Sequence, residues 1–212
     1  MSYFDALTGA VIKGDVKSAL AETQSALDAG TNPQDILDKG LIAAMDEVGE
    51  KFSKGLMFVP QMLRSAKVMQ ECMKLLQPLF KEGGITSKGK VLIGTVKGDL
   101  HDIGKNIVSM MMEGAGFTIT DLGVDVSPEI FVQKSQELEP DIVALSALLS
   151  TTMPAMPQTI EALQKAGLRE KVKVMIGGAP VTEKYAQEIK ADSYASDAGS
   201  AVSKAKKLLG VS

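Results

Sequence analysis

Apolar positions change their period once along the chain, near residue 90. Before that point they recur at helical spacing. Met62, Ala66, Met69, Met73 and Leu76 step by 4, 3, 4 and 3, which is one stripe along one helix. Pro60 opens that helix and Gln77-Pro78 bends or ends it. Ile36, Leu37, Ile42, Ala43 and Met45 supply another apolar face behind Asn32-Pro33, where Pro33 suits a first helical turn. An earlier helical stretch follows Gly14-Asp15 and ends near Gly30, and a turn around Ser53-Lys54-Gly55 separates the last two helices. Four amphipathic helices with short connections predict a small four-helix bundle.

After residue 90 short β-branched runs alternate with helical stretches. VLIGTV (91–96), FTITDLG (117–123), DIVALS (141–146) and VKVMIGG (172–178) read as strands, with a shorter fifth at 192–195. Helices are predicted near 104–114, from Pro128 to Leu138, at 155–166, at 181–190 and from the fifth strand to 209. Such alternation predicts a parallel, doubly wound, Rossmann-like (flavodoxin-like) sheet with crossover helices. The polar segment EGGITSKG at 82–89 divides the two patterns. The expected organisation is a helical bundle at 1–82, a linker at 83–89, and an α/β domain at 90–212. Ligands of such sheets bind where the strand-to-helix loops gather, so the loops after residues 96, 146 and 178 are the informative ones.

Composition narrows the chemistry. Hydrophobic residues make up 45% of the 212, enough for a buried core. Basic and acidic residues number 23 and 26, for a net charge of −3, which argues against nucleic-acid binding by a basic surface. One Cys (Cys72) and one His (His101) exclude an intrachain disulfide and a Cys/His zinc site within one chain. No apolar run approaches a membrane span, and the start MSYFDALTGA lacks a signal pattern. The expected setting is a reducing cytoplasm. Neither a GxSxG nor a Walker pattern occurs, so hydrolase triads and phosphate loops lack support. Cys72, one turn from Met69, reads as a packed small residue.

The loop after the first strand reads Gly98-Asp99-Leu100-His101-Asp102-Ile103-Gly104. Residues two apart in extended backbone point the same way. Asp99 can therefore accept a hydrogen bond from the His101 imidazole, the arrangement of a metal-ligating His and the carboxylate behind it. Gly104 removes a side chain where something bulky could approach. The alternative is a solvated or hydrogen-bonded loop histidine.

Two further motifs stand downstream. After Gly104 come 41 residues (105–145), then Ser146-Ala147-Leu148, then 28 residues (149–176), then Gly177-Gly178. This DxHxxG, SxL and GG series resembles the cobalamin-binding module of methionine synthase and of the corrinoid proteins of multi-component methyltransferases. The segment FSKGLMFVPQMLRSAKVM, Phe52 to Met69, resembles the bundle that caps the methyl face of the cofactor in that family. The likeness covers essentially the whole chain.

The resemblance implies a cobalamin or related corrinoid bound base-off, with His101 as the lower axial ligand of cobalt. Asp99 would hold His101, and Thr152 would complete a proton relay at a position where methionine synthase has serine. Gly98, Leu100, Asp102, Ile103 and Gly104 would form the cofactor loop. Ser146, Leu148 and Ser150 would line a slot for the displaced nucleotide tail, with Gly177 and Gly178 leaving it room and Ala198 near its end. Phe52 and Val59 would sit on the upper face, with Met57 nearby. Plain alternatives stand beside these: Ser146 as a loop cap, the glycine pair as an ordinary turn, and Phe52, Val59, Met62, Met69 and Met73 as core.

By the same resemblance the chain would carry a methyl group and would not be an enzyme alone. Its cobalt would cycle between Co(I) and methyl-Co(III), with Co(II) as a further form of the bound cofactor. A substrate-specific methyltransferase would supply the methyl from a methylamine, a betaine-type quaternary amine, methanol or an aryl methyl ether. A second, acceptor methyltransferase would pass it to tetrahydrofolate or a thiol such as coenzyme M, and a reductive activation protein would be a third partner. Neither nucleic acid nor membrane is an expected partner. Two other classes share the pattern. An adenosylcobalamin mutase small subunit has DxHxxG but is not expected to have the helical cap with FVPQ. A cobalamin-sensing regulator would need a DNA-binding domain before the bundle.

Overall fold

The computed structural model describes residues 3–79 and 87–211. Apart from the turn Gly114–Gly116, the chain divides between Ser87 and Lys88 into two compact units. Most of the predicted linker, residues 83–86, lies outside the described residues.

The first unit is helical. α1 (Tyr3–Lys13) and α2 (Val16–Asp28) are joined by a tight turn, and the Asp15 carboxylate accepts the Ser18 N–H at 3.1 Å to cap α2. The third helix, α3, is α-helical at Pro33–Asp35 and Ala43–Ser53 and π-helical between them, at Ile36–Ile42. α4 (Val59–Leu76) has Pro60 in its first turn, and the Phe58 N–H donates to Gln61 Oε1 at 3.0 Å. Leu7, Ile36, Leu37, Leu41, Met45, Met62 and Leu76 form its sealed interior, with Cys72 buried as expected.

Two positions depart from the predicted stripes. Ala43 is exposed and Ala44 takes the interior place; Met73 is only half-buried. A π-helical stretch carries more residues per turn than an α-helix. The Ile36–Ile42 stretch therefore rotates everything after it relative to a uniform 3.6-residue count.

The second unit holds a five-stranded, wholly parallel sheet. Its strands are β1 (Lys90–Thr95), β2 (Thr118–Asp121), β3 (Ile142–Ser146), β4 (Lys173–Gly177) and β5 (Ser193–Ala195), in the order β2-β1-β3-β4-β5. Between them run α5 (Ile103–Gly114), α6 (Pro128–Leu138), α7 (Ala155–Lys165) and α8 (Glu183–Glu188), and α9 (Ala198–Leu209) closes the chain. Each strand lies within two residues of its predicted place. β1 and β3 occupy the middle and are buried almost throughout, which suits their unbroken apolar runs. Leu92, Val143 and Leu145 pack with Phe131 of α6 and Met156, Ile160 and Leu163 of α7 in one core.

The chain leaves β1 toward β2 on one side and returns to β3 on the other. With right-handed crossovers, α5 lies on the face opposite α6 and α7. The strand order thus reverses between β1 and β3, and a crevice opens there at their carboxyl ends. Thr95 is in register with Ser146, and Ser146 with Gly177, so the three informative loops leave the sheet side by side.

Candidate functional site

The loops after β1 and β3 meet at one carboxylate. Asp99 is wholly buried. Its Oδ1 accepts the His101 backbone N–H at 3.1 Å and faces His101 Nδ1 at 2.7 Å. Its Oδ2 accepts the Thr152 hydroxyl at 2.7 Å and the N–H groups of Leu148 at 2.8 Å and Leu149 at 3.3 Å. Burial pushes this carboxyl up. The hydrogen bonds from Thr152, from the His101 ring and from the amides of His101 and Leu148 outweigh it and hold the group well below the usual carboxylate range.

An ionised carboxylate can only accept. Nδ1 of His101 must therefore carry the proton, and in the neutral ring Nε2 keeps a bare lone pair. Among the described residues Nε2 has no hydrogen-bond partner, and the His101 side chain is 50% exposed. Leu100 and Ile103 flank it in the loop at 72% and 76% exposed, and Leu148 and Leu149 are exposed on the facing loop. A side chain at Gly104 would meet no atom within 4 Å. One bare imidazole nitrogen in an apolar, open surround fits a metal that brings its other ligands with it. The corrin ring supplies cobalt with four nitrogens, so the residues present fit that group.

The Asp99 charge bears on stability with a definite sign. Its folded value lies below the unfolded one of about 4. The stabilisation is whole above about pH 4 and is lost as pH falls from there toward the native value. Asp99→Asn is expected to cost the cofactor-free protein about 3 kcal/mol at neutral pH. It should also flatten the fall in stability between about pH 4 and pH 2 relative to wild type. Denaturant unfolding at each pH checks this, and parallel slopes for the two proteins would contradict it.

The other predicted residues fall in several places. Asp102 is exposed and leads into α5; its carbonyl accepts the Asn106 N–H at 2.8 Å. Gly98 has φ +84°, in the left-handed region that suits glycine. Ser146 ends β3 half-buried, its carbonyl accepting the Val96 N–H at 3.0 Å, and Ser150 is exposed. Ala198 is buried at the first position of α9, behind the capping Asp197. The glycine pair has a reason within the fold. Gly178 has φ +130°, and a Cβ there would stand 1.8 Å from the Ala147 carbonyl oxygen. Gly178 also opens a turn closed by the Val181 N–H at 3.0 Å.

Phe52 and Val59 lie in the helical unit, both half-buried, and Met57 is buried. The exposed apolar side chains of that segment are Leu56 and Phe58, at 71% and 69%. Helical spacing cannot find them, because residues 54–58 form the turn between α3 and α4. Sequence reasoning also missed Thr95, whose hydroxyl donates to the His101 carbonyl at 2.9 Å, and Asp125, which accepts the Gly98 N–H at 2.8 Å.

Comparison with known proteins agrees with this geometry. Two sequence families, each described as a B12 binding domain, match residues 89–203 and residues 3–77. A dimethylamine corrinoid protein of Methanosarcina acetivorans is 47% identical over 96% of this chain and 95% of its own. A trimethylamine corrinoid protein of Methanosarcina mazei is 44% identical over 93% and 91%. Among solved structures, a cobalamin-binding protein of Desulfitobacterium hafniense DCB-2 superposes with TM-score 0.82 at 33% identity, covering 97% of this chain and 98% of its own. The methanol:cobalamin methyltransferase complex of Methanosarcina barkeri gives TM-score 0.87 at 27% identity, covering 99% and 80%. The chain belongs to the B12-binding family. Within it, the chain stands with the corrinoid carrier proteins, subunits that hold the cofactor for separate methyltransferases. Among the described residues no helix is long and apolar enough to cross a membrane.

Proposed function

We propose that His101 Nε2 is the lower axial ligand of a corrinoid bound base-off, and that the chain carries methyl groups from a methylated-amine donor. The observation that carries this reading is the buried Asp99 carboxylate, which fixes the proton on Nδ1 and leaves Nε2 bare. A bound corrinoid supplies a cobalt that, when reduced, is nucleophilic enough to take a methyl group and that gives it up to a second nucleophile.

The protein's part is to orient, hold and shield. Asp99 keeps the imidazole in one tautomer and raises its basicity as a ligand. Thr152 donates to Asp99 Oδ2, and the Leu148 and Leu149 amides lock the same oxygen, so the carboxylate cannot swing away from the ring. Leu100, Ile103, Leu148 and Leu149 present exposed apolar surface around the imidazole, against which a bound corrinoid would pack.

The relatives named for dimethylamine and trimethylamine systems support an amine donor. The solved complex with a methyltransferase supports a separate donor enzyme as partner. An acceptor methyltransferase and a reductive activation protein complete the proposed set. The test reconstitutes the chain with hydroxocobalamin, reduces it, and assays methylation with methyltransferases specific for mono-, di- and trimethylamine, a quaternary amine and methanol. Methylation with an amine enzyme at least about tenfold faster than with the methanol enzyme is expected, a difference of about 1.4 kcal/mol in the barrier. Methylation by the methanol enzyme alone would overturn the donor class.

A further inference from the structure

The end of β2 and the segment after it send two carboxylates toward the residues on either side of His101. Asp121 Oδ2, at the end of β2, pairs with Lys105 Nζ in the first turn of α5. Lys105 is 3% exposed, and its Nζ also donates to Asn106 Oδ1 at 2.7 Å. Asp121 Oδ1 accepts the Gly123 N–H at 2.8 Å, and the Gly123 carbonyl accepts the Thr95 N–H at 3.0 Å. Four residues on, Asp125 Oδ1 accepts the Gly98 N–H at 2.8 Å, and the Asp125 N–H donates to the Asp99 carbonyl at 2.9 Å. Lys97 Nζ lies 3.1 Å from the same carboxylate oxygen.

These contacts bracket His101. Asp125 grips residues 98 and 99, just before it, and Asp121 grips Lys105, four residues after it. Inside the bracket, His101 is tied to β1 by the Thr95 hydroxyl on its carbonyl at 2.9 Å, and Asp99 is tied to the facing loop by Leu148, Leu149 and Thr152; the bracket adds the two ends of the loop to these. Two features set the bracket apart from ordinary packing. Burying a lysine ammonium is costly unless it is paired, and an apolar side chain would fill the space without that cost. Asp125 is held at φ +53°, a conformation most side chains avoid and Asp, Asn and Gly tolerate.

We propose that residues 121–125 form a brace that fixes the height of His101, with Asp125 and Lys105 as positioning residues for the axial ligand. The inference rests on the reading of His101 as that ligand. A slackened brace lets the loop ride at more heights, fewer of which place Nε2 within bonding reach of cobalt. The brace therefore sets the balance between ligated and unligated imidazole, while the rest of the crevice holds the cofactor.

The chain has a single histidine, so labelling histidine with ¹⁵N reports on His101 alone. The protein is labelled, loaded with hydroxocobalamin and reduced to the Co(II) state, and its electron paramagnetic resonance spectrum is recorded. An axial ¹⁵N splits each cobalt line into two, whereas the ¹⁴N of the cofactor's own base splits it into three. A three-line pattern in wild type overturns the His101 reading itself. With two lines in wild type, Asp125→Gly removes the carboxylate while easing the backbone, and Lys105→Gln acts independently at the other end of the brace. Each is expected to lower the ratio of ligated to unligated cobalt about tenfold, the loss of one charge-assisted hydrogen bond. Asp125→Asn keeps an acceptor and the left-handed backbone and should restore the wild-type ratio. Ratios within about twofold of wild type in both Asp125→Gly and Lys105→Gln overturn the brace.

Discussion

His101→Ala is expected to yield a protein that still takes up cobalamin but whose pigment has lost its imidazole ligand. The effect should be complete, because among the described residues no other imidazole exists and the exposed neighbours Leu100 and Ile103 have no donor atoms. Water would take the axial position, and the visible spectrum should shift to that of a base-off, water-ligated corrinoid. Uptake should survive, since the substitution leaves in place the contacts of Asp99 with Leu148 and Thr152 that join the two loops. Asp99→Asn should act in the same direction but less fully. Its amide can still meet the ring, yet it no longer dictates which ring nitrogen is bare, and losses of about 10- to 100-fold in ligation are usual for such partners. A visible spectrum unchanged in His101→Ala would remove the ligand role.

Gly178→Ala carries the second large effect. The new Cβ would sit 1.8 Å from the Ala147 carbonyl oxygen, and that atom is backbone, with no rotamer to yield. The positive φ of +130° adds its own strain. A loss of about 3 kcal/mol is expected from the combined clash and strain. Relief can come only by parting the ends of β3 and β4, so the variant should also release corrinoid on desalting. Gly177→Ala is the control. Its Cβ would meet the Ala195 carbonyl oxygen at 3.1 Å, with no positive φ, and a few tenths of an ångström of give would accommodate it. Denaturant midpoints and retained pigment measure both variants. Equal behaviour of the two would mean that Gly178 is not the close-approach point.

The parallel sheet was legible because every signal for it is local. VLIGTV and DIVALS are apolar without alternation, as strands covered on both faces must be, and each is followed by a helical period. The Asp99–His101 pair was legible for the same reason: two residues apart in one loop. What escaped was everything set by distant partners. Asp125 lies 27 residues from Gly98, and Lys105 lies 16 from Asp121; nothing in either local pattern marks them as anchors of the His101 loop. Leu148 and Leu149 act through their amides, which no side-chain motif records. The π-helical stretch at Ile36–Ile42 escaped because its apolar residues also satisfy an α-helical count until Ala43. The exposed Leu56 and Phe58 lie in a turn, where periodicity says nothing.

The five donors to Asp99 come from two loops separated by about 50 residues. His101 arrives with Asp99 itself, but the amides of Leu148 and Leu149 and the hydroxyl of Thr152 arrive only when β3 has docked on β1. Until then the charge must stay hydrated, for a dehydrated carboxylate with two partners instead of five is too costly to keep. The central pair of strands therefore cannot close halfway. Amide hydrogen exchange at Leu148 should proceed through the same opening as exchange in the middle of β1, so the chemistry of this crevice and the cooperativity of its unfolding are one property.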